Sequence, residues 1–289
     1  MQRRPTPELL DSDSGTPAEV AGSIADLRMI NRWFGGVSTT RSLIQSVARK
    51  TGKSEFSLLE VAAGDGFLAQ EVSASLQPSG IRLHVTLLDR ALSHLPANSN
   101  PNGDSSAGAT DAPVGRTLLS DAFDVGVAVA SEDQNQNQKR RTRVSDPHEP
   151  SAFSSAVVAD ALNLPFPDAT FDLVSCSLFA HHLSPEQVTL FARESLRVCR
   201  AAVLVNDLIR HPLHLALVYA GMPLYRSRLT RHDAPASVRQ AHTVEEMRSF
   251  IQQSGAASIE IYRHYLYRMG VIAWKRVPQP ERNSSGGVP

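Results

Sequence analysis

The stretch LLEVAAGDGFLAQEV, Leu58 to Val72, decides how the rest of the chain is read. An apolar run stops at Ala63-Gly64-Asp65-Gly66 and resumes at Phe67 with the spacing of a helix. The run FSLLEVA, Phe56 to Ala62, is short and bounded by turn residues, so it reads as a buried strand. Gly64 and Gly66 lack Cβ; the chain can turn tightly there and a ligand can lie against the backbone. The helix from Phe67 presents N–H groups that have no partner within the helix. Taken alone, the break suits a plain turn as well as a ligand loop.

Outward from this unit the pattern alternates. IRLHVTLLD (Ile81–Asp89), AVVAD (Ala156–Asp160), FDLVSCSL (Phe171–Leu178) and AAVLVND (Ala201–Asp207) read as further strands. FLAQEVSASLQ and SPEQVTLFARESLRVC read as helices, the second with Ser184 as N-cap and Pro185 at its first helical position. Near-continuous apolar strands alternating with helices indicate a doubly wound α/β domain, its sheet mostly parallel and covered on both faces. Upstream, Val20, Ile24, Leu27, Ile30 and Phe34 mark an amphipathic helix that ends at Gly35-Gly36, and a second helix covers Thr39 to Lys50. The C-terminal run SIEIYRHYLYRMGVIAWKR reads as two strands joined near Leu266 to Arg268.

The expected organisation is a polar, disordered tail at 1–16 and one domain at 17–277. Within that domain lie a helical cap (17–50), a low-complexity insertion (96–155) and an insert after the fifth strand (208–242). A second disordered tail is expected at 278–289. The insertion contains NSNPNGDSSAGATD and SEDQNQNQKRRTR, and so long a structureless segment inside a domain is either functional or disordered.

Composition narrows the partners. The chain has 289 residues, of which 42% are hydrophobic, enough for a sizeable core. Lys plus Arg and Asp plus Glu each number 29, so net charge gives no electrostatic case for nucleic acid or an anionic membrane. Cys176 and Cys199 are too few for a disulfide framework and read as free thiols in a reducing, cytoplasmic setting. Neither a secretory signal nor an apolar run long enough to span a membrane is expected.

The strand ends carry the chemistry. Asp89 closes the second strand, where an acid can accept both hydrogen bonds of a ribose diol. Asp160 closes the third, where an acid can take an adenine amino group while Ala161 and Leu162 pack on the ring. Each acid alone also suits a helix cap or a solvated loop. Together with the glycine break, they form ligand-compatible features at three successive strand ends. LLEVAAGDGF, VTLLDRA, VVADALNLPFPDATFDLVSCSLFAHHL and LRVCRAAVLVND resemble the motifs of class I S-adenosylmethionine-dependent methyltransferases, in order from Phe56 to Asp207. The likeness is greatest to the small-molecule branch. One departure is Ala62, which stands where the family usually has Gly.

The resemblance implies a seven-stranded Rossmann-like sheet with an antiparallel C-terminal hairpin, and S-adenosylmethionine as cofactor. It also implies roles. Glu60 would organise the loop and face the methionine amino group, and Ala62, Gly64 and Gly66 would line methionine and ribose. Asp89 would hold the ribose, Asp160 and Ala161 would contact adenine, and Ser177 would border the methyl-donor region. The acceptor is expected to be a small organic molecule methylated on oxygen or carbon, such as a phenol, quinone or polyketide-like acid. Its lid would come from Leu27–Gly36 and His211–Gln240.

His181 is the foremost candidate for a base on the acceptor side, since imidazole accepts protons near neutral pH. His182, His211, His232 and Asp207 are further candidates. Arg226, Arg228, Arg231 and Arg239 suit an acidic acceptor or surface ion pairs with Asp233, Glu245 and Glu246. Trp33, Phe34, Tyr219 and Tyr225 suit an aromatic pocket or plain core packing. Trp33, Asp207, Tyr225, Arg231 and His232 are the expected substrate contacts, and no metal is expected. Two alternatives remain: a cofactor-binding protein that has lost catalysis, and an NAD(P)-dependent oxidoreductase. The latter predicts a G-x-G-x-x-G fingerprint, which AAGDGFLA does not supply.

Overall fold

A computed structural model describes residues 1–11, 15–90 and 153–276. The insertion read at 96–155 lies outside the described residues except for its last three, and the tail at 278–289 lies wholly outside them. Two helices, α1 (Pro17–Trp33) and α2 (Gly36–Thr51), precede β1 (Glu55–Val61), α3 (Phe67–Leu76), β2 (Arg82–Asp89) and β3 (Phe153–Val158). Then follow β4 (Phe171–Ser177), α4 (Pro185–Val198), β5 (Cys199–Leu208), α5 (Pro212–Ala220), α6 (Arg228–Gln240), α7 (Val244–Gln253), β6 (Ser258–His264) and β7 (Arg268–Trp274).

The strands form one seven-stranded sheet in the order β3-β2-β1-β4-β5-β7-β6. β1 to β5 are parallel, and β7 runs antiparallel to both β5 and β6. Alternate residues explain why the strands read as continuous apolar runs. Leu59, Val61, Val174, Val203 and Val271 face a core built with Phe191, Leu196, Met247 and Ile251 of α4 and α7. Leu58, Leu173, Leu204 and Ile272 face the opposite core, built with Leu43, Val47, Val72 and Leu76 of α2 and α3. Both faces are covered, so both parities are apolar.

Local signals account for the element ends. Ser184 accepts from the Gln187 N–H and Gln187 answers at the Ser184 N–H, with Pro185 at the first helical position of α4. Thr16 does the same with Glu19 at the start of α1. β3 starts at Phe153 and ends at Val158, so Asp160 stands just beyond the strand rather than closing it.

The N-terminal stretch departs from the expectation of a disordered tail. The Arg4 N–H donates to the Arg239 carbonyl at 3.0 Å. The Leu9 and Leu10 N–H groups donate to the two Asp233 oxygens at 2.8 and 3.0 Å. Arg3 reaches the carbonyls of Gln240, His181 and Leu183. Residues 1–11 therefore form a strap across α6 and the turn after β4. Backbone N–H groups and the Arg3 guanidinium supply these bonds, so no apolar periodicity marks the strap.

Candidate functional site

The carboxyl ends of β1, β2 and β4, together with the strap, α1, α5 and α6, enclose a cavity of about 1440 Å³. Drug-sized ligands occupy pockets of roughly 300–1,000 Å³, so the space suits two ligands at once. Among the described residues a smaller cavity of about 540 Å³ lies elsewhere, between Arg210 and His211 on one side and His264 to Tyr267 on the other. It contains none of the strand-end acids.

One wall is the loop after β1. Ala62, Gly64 and Gly66 all have positive φ, at 55°, 54° and 74°. The Asp89 carboxylate accepts the Gly64 N–H at 2.9 Å, tying the loop to the end of β2. A Cβ built on Gly64 would meet no atom within 4 Å, so the backbone there is open to the cavity. Gly66 does not line the cavity; it caps α3 in the left-handed conformation. Arg28 of α1 pairs with Asp65 at 2.6 Å and Arg32 with Glu71 at 2.8 Å, docking the cap helix beside the loop.

Glu60 is 3% exposed and takes a hydrogen bond from the Ser175 hydroxyl. Burial raises its pKa from 4.5 to about 7, with the Ser175 hydrogen bond opposing. Ser177, at the end of β4, has a buried hydroxyl without a hydrogen-bond partner among the described residues. Asp160 and Ala161 line the cavity, and Asp160 accepts the Leu162 N–H at 2.8 Å.

His181 is 3% exposed and follows β4 in a short turn, Ala180–His182. Its Nδ1 lies 2.7 Å from Asp207 Oδ1, and its backbone N–H donates to Asp207 Oδ2 at 3.0 Å. Its Nε2 lies 3.5 Å from Glu8 Oε1. Burial alone would lower the His181 pKa; the two carboxylates outweigh it and raise the pKa to about 10. Asp207 shows the counterpart: burial favours protonation, but the neighbouring imidazolium lowers its pKa to about 2. Both ring nitrogens of His181 thus face carboxylates, and a proton on the ring is held there. This differs from the free base expected of His181.

The remaining expected contacts divide. Tyr225 is buried and lines the cavity. Asp207 stands behind His181 and does not line it. Trp33 is 70% exposed, at the end of α1, and points away from the cavity that the neighbouring Phe34 does line. Arg231 and His232 are exposed on α6: Arg231 donates to the Tyr225 carbonyl at 3.0 Å, and His232 Nδ1 lies 2.8 Å from Asp233. The other arginines find partners different from those expected, Arg228 on Glu19 and Arg239 on the Tyr219 hydroxyl. Glu246 pairs with Arg210 and Glu245 with Arg263.

Glu8, Asp11 and Arg268 were not singled out from sequence. Arg268 is buried at the cavity and donates to the Phe34 carbonyl, Asn206 and Asn31; burial lowers its pKa to about 10. The only sequence signal for the strap is PELLD, a pair of leucines between two acids inside a polar stretch.

A family profile described as "Methyltransferase domain" matches residues 112–204. That span includes β3, β4 and α4 but not the Glu60–Gly66 loop or Asp89. No curated protein matches the chain's sequence. The fold is similar to that of the plantazolicin methyltransferase BpumL solved in complex with SAH. Identity is 11% and the TM-score 0.57, covering 93% of this chain and 94% of that one. For the same enzyme with a triazolic desmethylPZN analog and SAH, the identity is 12% and the TM-score 0.56, covering 93% and 95%. At these identities the likeness concerns the fold. The chain thus carries a methyltransferase-domain match over part of its length and a fold shared with an SAH-bound methyltransferase.

Proposed function

We propose that the protein transfers a methyl group from S-adenosylmethionine to a small organic acceptor, on oxygen or carbon. The observation that carries this reading is the convergence of Glu60, the open Gly64 backbone, Asp89 and the partnerless Ser177 hydroxyl on one wall of a single cavity. These groups suit the cofactor. A buried carboxylate with a raised pKa suits a cationic ammonium, and an acid at the end of β2 suits a ribose diol. Asp160 and Ala161 would flank adenine.

S-adenosylmethionine, when bound, supplies an electrophilic methyl on a sulfonium. The chain's own work is alignment and exclusion of water, the main demands of an in-line displacement. The strap, Tyr225 and the α5–α6 insert would wall the acceptor from solvent, and the 208–242 insert would serve as its lid. His181, held by Asp207 and Glu8, would border the acceptor as a positioning group rather than a free base. The fold relative was solved with a triazolic desmethylPZN analog beside SAH, which is consistent with a small organic acceptor. A nicotinamide-dependent reading is disfavoured by the antiparallel β7 inserted beside β5, where that fold carries a parallel sixth strand.

Calorimetry with S-adenosylmethionine, its demethylated product and NAD tests the proposal, followed by a mass-shift screen of phenols, quinones and polyketide-like acids. Binding of NAD alone would overturn it. Donor binding without turnover on any acceptor would favour a cofactor-binding protein that has lost catalysis. Asp89→Ala is expected to weaken donor binding about ten- to hundredfold, because a charged acceptor contributes about 1.5–3 kcal/mol. His181→Ala is expected to leave donor affinity intact and lower turnover.

A further inference from the structure

The acceptor end of the cavity brings together side chains from opposite ends of the chain. A carboxylate oxygen of Glu8 and ring nitrogens of His181 and His182 all lie within 4.8 Å of one another. His181 Nε2 is 3.5 Å from Glu8 Oε1, and His182 Nε2 is 4.0 Å from Glu8 Oε2. The two rings sit side by side, their centroids 4.2 Å apart, because both project from the short turn after β4. All three side chains line the cavity.

Each of the three is also held from behind. His181 Nδ1 is 2.7 Å from Asp207, and His182 Nδ1 is 3.0 Å from Asp11. Glu8 Oε1 accepts from the Ser237 hydroxyl at 2.6 Å and from Gln240 Nε2 at 2.7 Å. A carboxylate on the far nitrogen keeps a proton at Nδ1 and aims Nε2 at a common centre, so an arriving ion would replace the proton on His181 Nε2, which would leave to solvent. Metal-binding histidines are commonly held in this way, and ligating carboxylates are themselves hydrogen-bonded.

We infer that Glu8, His181 and His182 form a binding site for one divalent transition-metal ion of the zinc class. Two imidazoles and one carboxylate are a set that zinc and ferrous iron accept, with further coordination positions left open. A tetrahedral centre with arms of about 2.05 Å separates its ligand atoms by roughly 3.3 Å, so shifts on the order of an ångström close the observed spacing. The open positions face the cavity, where an acceptor oxygen would take one; that placement rests on the methyltransferase reading, whereas the ligand set does not. Because Glu8 arrives on the strap, the ion would also pin residues 1–11 across the site. In its absence the same geometry leaves a carboxylate clasped between two imidazoles, and the test separates the two states.

The test uses the full chain, stripped with chelator and dialysed, then titrated with Zn²⁺ by calorimetry and with Co²⁺ by visible absorption. One saturable Zn²⁺ per chain is expected, with Co²⁺ developing d–d bands to the same stoichiometry. Glu8→Gln and His182→Gln, whose side chains are less buried than His181, are each expected to raise the Zn²⁺ dissociation constant at least about tenfold, and Asp11→Asn about tenfold. Circular dichroism checks that each variant is folded. Bound Zn²⁺ is further expected to protect the bond after Arg3 from trypsin. No saturable Zn²⁺ binding, or affinity unchanged in both ligand variants, overturns the site. S-adenosylmethionine binding is measured on the same sample. Donor binding without Zn²⁺ binding overturns only the metal site, and the reverse overturns only the methyltransferase reading.

Discussion

Ala62 holds a backbone conformation better suited to glycine, with φ at 55°. For an L-residue the left-handed region costs roughly 1–2 kcal/mol, and part of that would be returned by a side chain without Cβ. Ala62→Gly is therefore expected to stabilise the protein by up to about 1 kcal/mol in urea denaturation; a loss of stability would mean that the loop does not hold this φ in solution. Glu60 makes a pH-dependent contribution. Its folded-state pKa of about 7 lies above the ordinary 4.5, so the fold favours the protonated acid. The stability due to that preference is complete below pH 4.5 and is lost as pH rises through 7, roughly 3 kcal/mol in all. Glu60→Gln should flatten the stability profile across that window and leave the variant more stable than the parent above pH 7. If the donor's ammonium meets Glu60, donor binding near pH 6 should release up to one proton, read by calorimetry in two buffers of different ionisation enthalpy. The acids at 60 and 89 were legible in sequence because each lies at the end of an apolar run. Glu8 was not, because nothing local to a polar tail says what it will meet.

The strap is the element whose behaviour most depends on a few hydrogen bonds. Asp233 takes the N–H groups of Leu9 and Leu10, and Arg3 takes three carbonyls. Charge-assisted bonds of this kind contribute about 1.5–3 kcal/mol each. Asp233→Ala should release the middle of the strap without unfolding the sheet. The expected outcome is faster amide exchange at Leu9 and Leu10, with strand amides unchanged. Equal acceleration in β1 and β4 would show that the strap is coupled to global stability instead. The cap helix α1 is held differently: its buried Asp26 accepts the backbone N–H groups of Arg226 and Ser227, joining it to the start of α6. Amphipathic spacing identified α1, but its polar anchor lies on the far side of the sheet sequence and could not be paired from spacing.

Across the whole molecule, the sheet order puts β1 and β4 side by side at the centre, with their carboxyl ends opening into one cavity. Ligands of open α/β sheets bind at that edge, where the strand order reverses. Binding only to the folded state should stabilise it. The demethylated product at about a hundred times its dissociation constant adds roughly 2.7 kcal/mol, a rise in melting temperature of about 5–10 °C. NAD at the same concentration should leave the melting temperature unchanged. Among the described residues, no helix is long and apolar enough to cross a membrane.

What the sequence determined by itself was whatever depends on neighbours along the chain. Continuous apolar runs marked strands buried on two faces, as Leu58 and Leu59 show by entering opposite cores. Ser184 and Pro185 started α4, and Gly64 and Gly66 marked the break after β1. Tertiary structure alone decided what depends on residues meeting across the fold. It sent Trp33 to solvent beside an inward Phe34 and left Arg231 and His232 on the outer face of α6. It also set His181 between Asp207 and Glu8, so that its protonation is governed by charges far away in the chain. A side chain's periodicity can be read locally; the field it sits in is the sum of groups that only folding brings near.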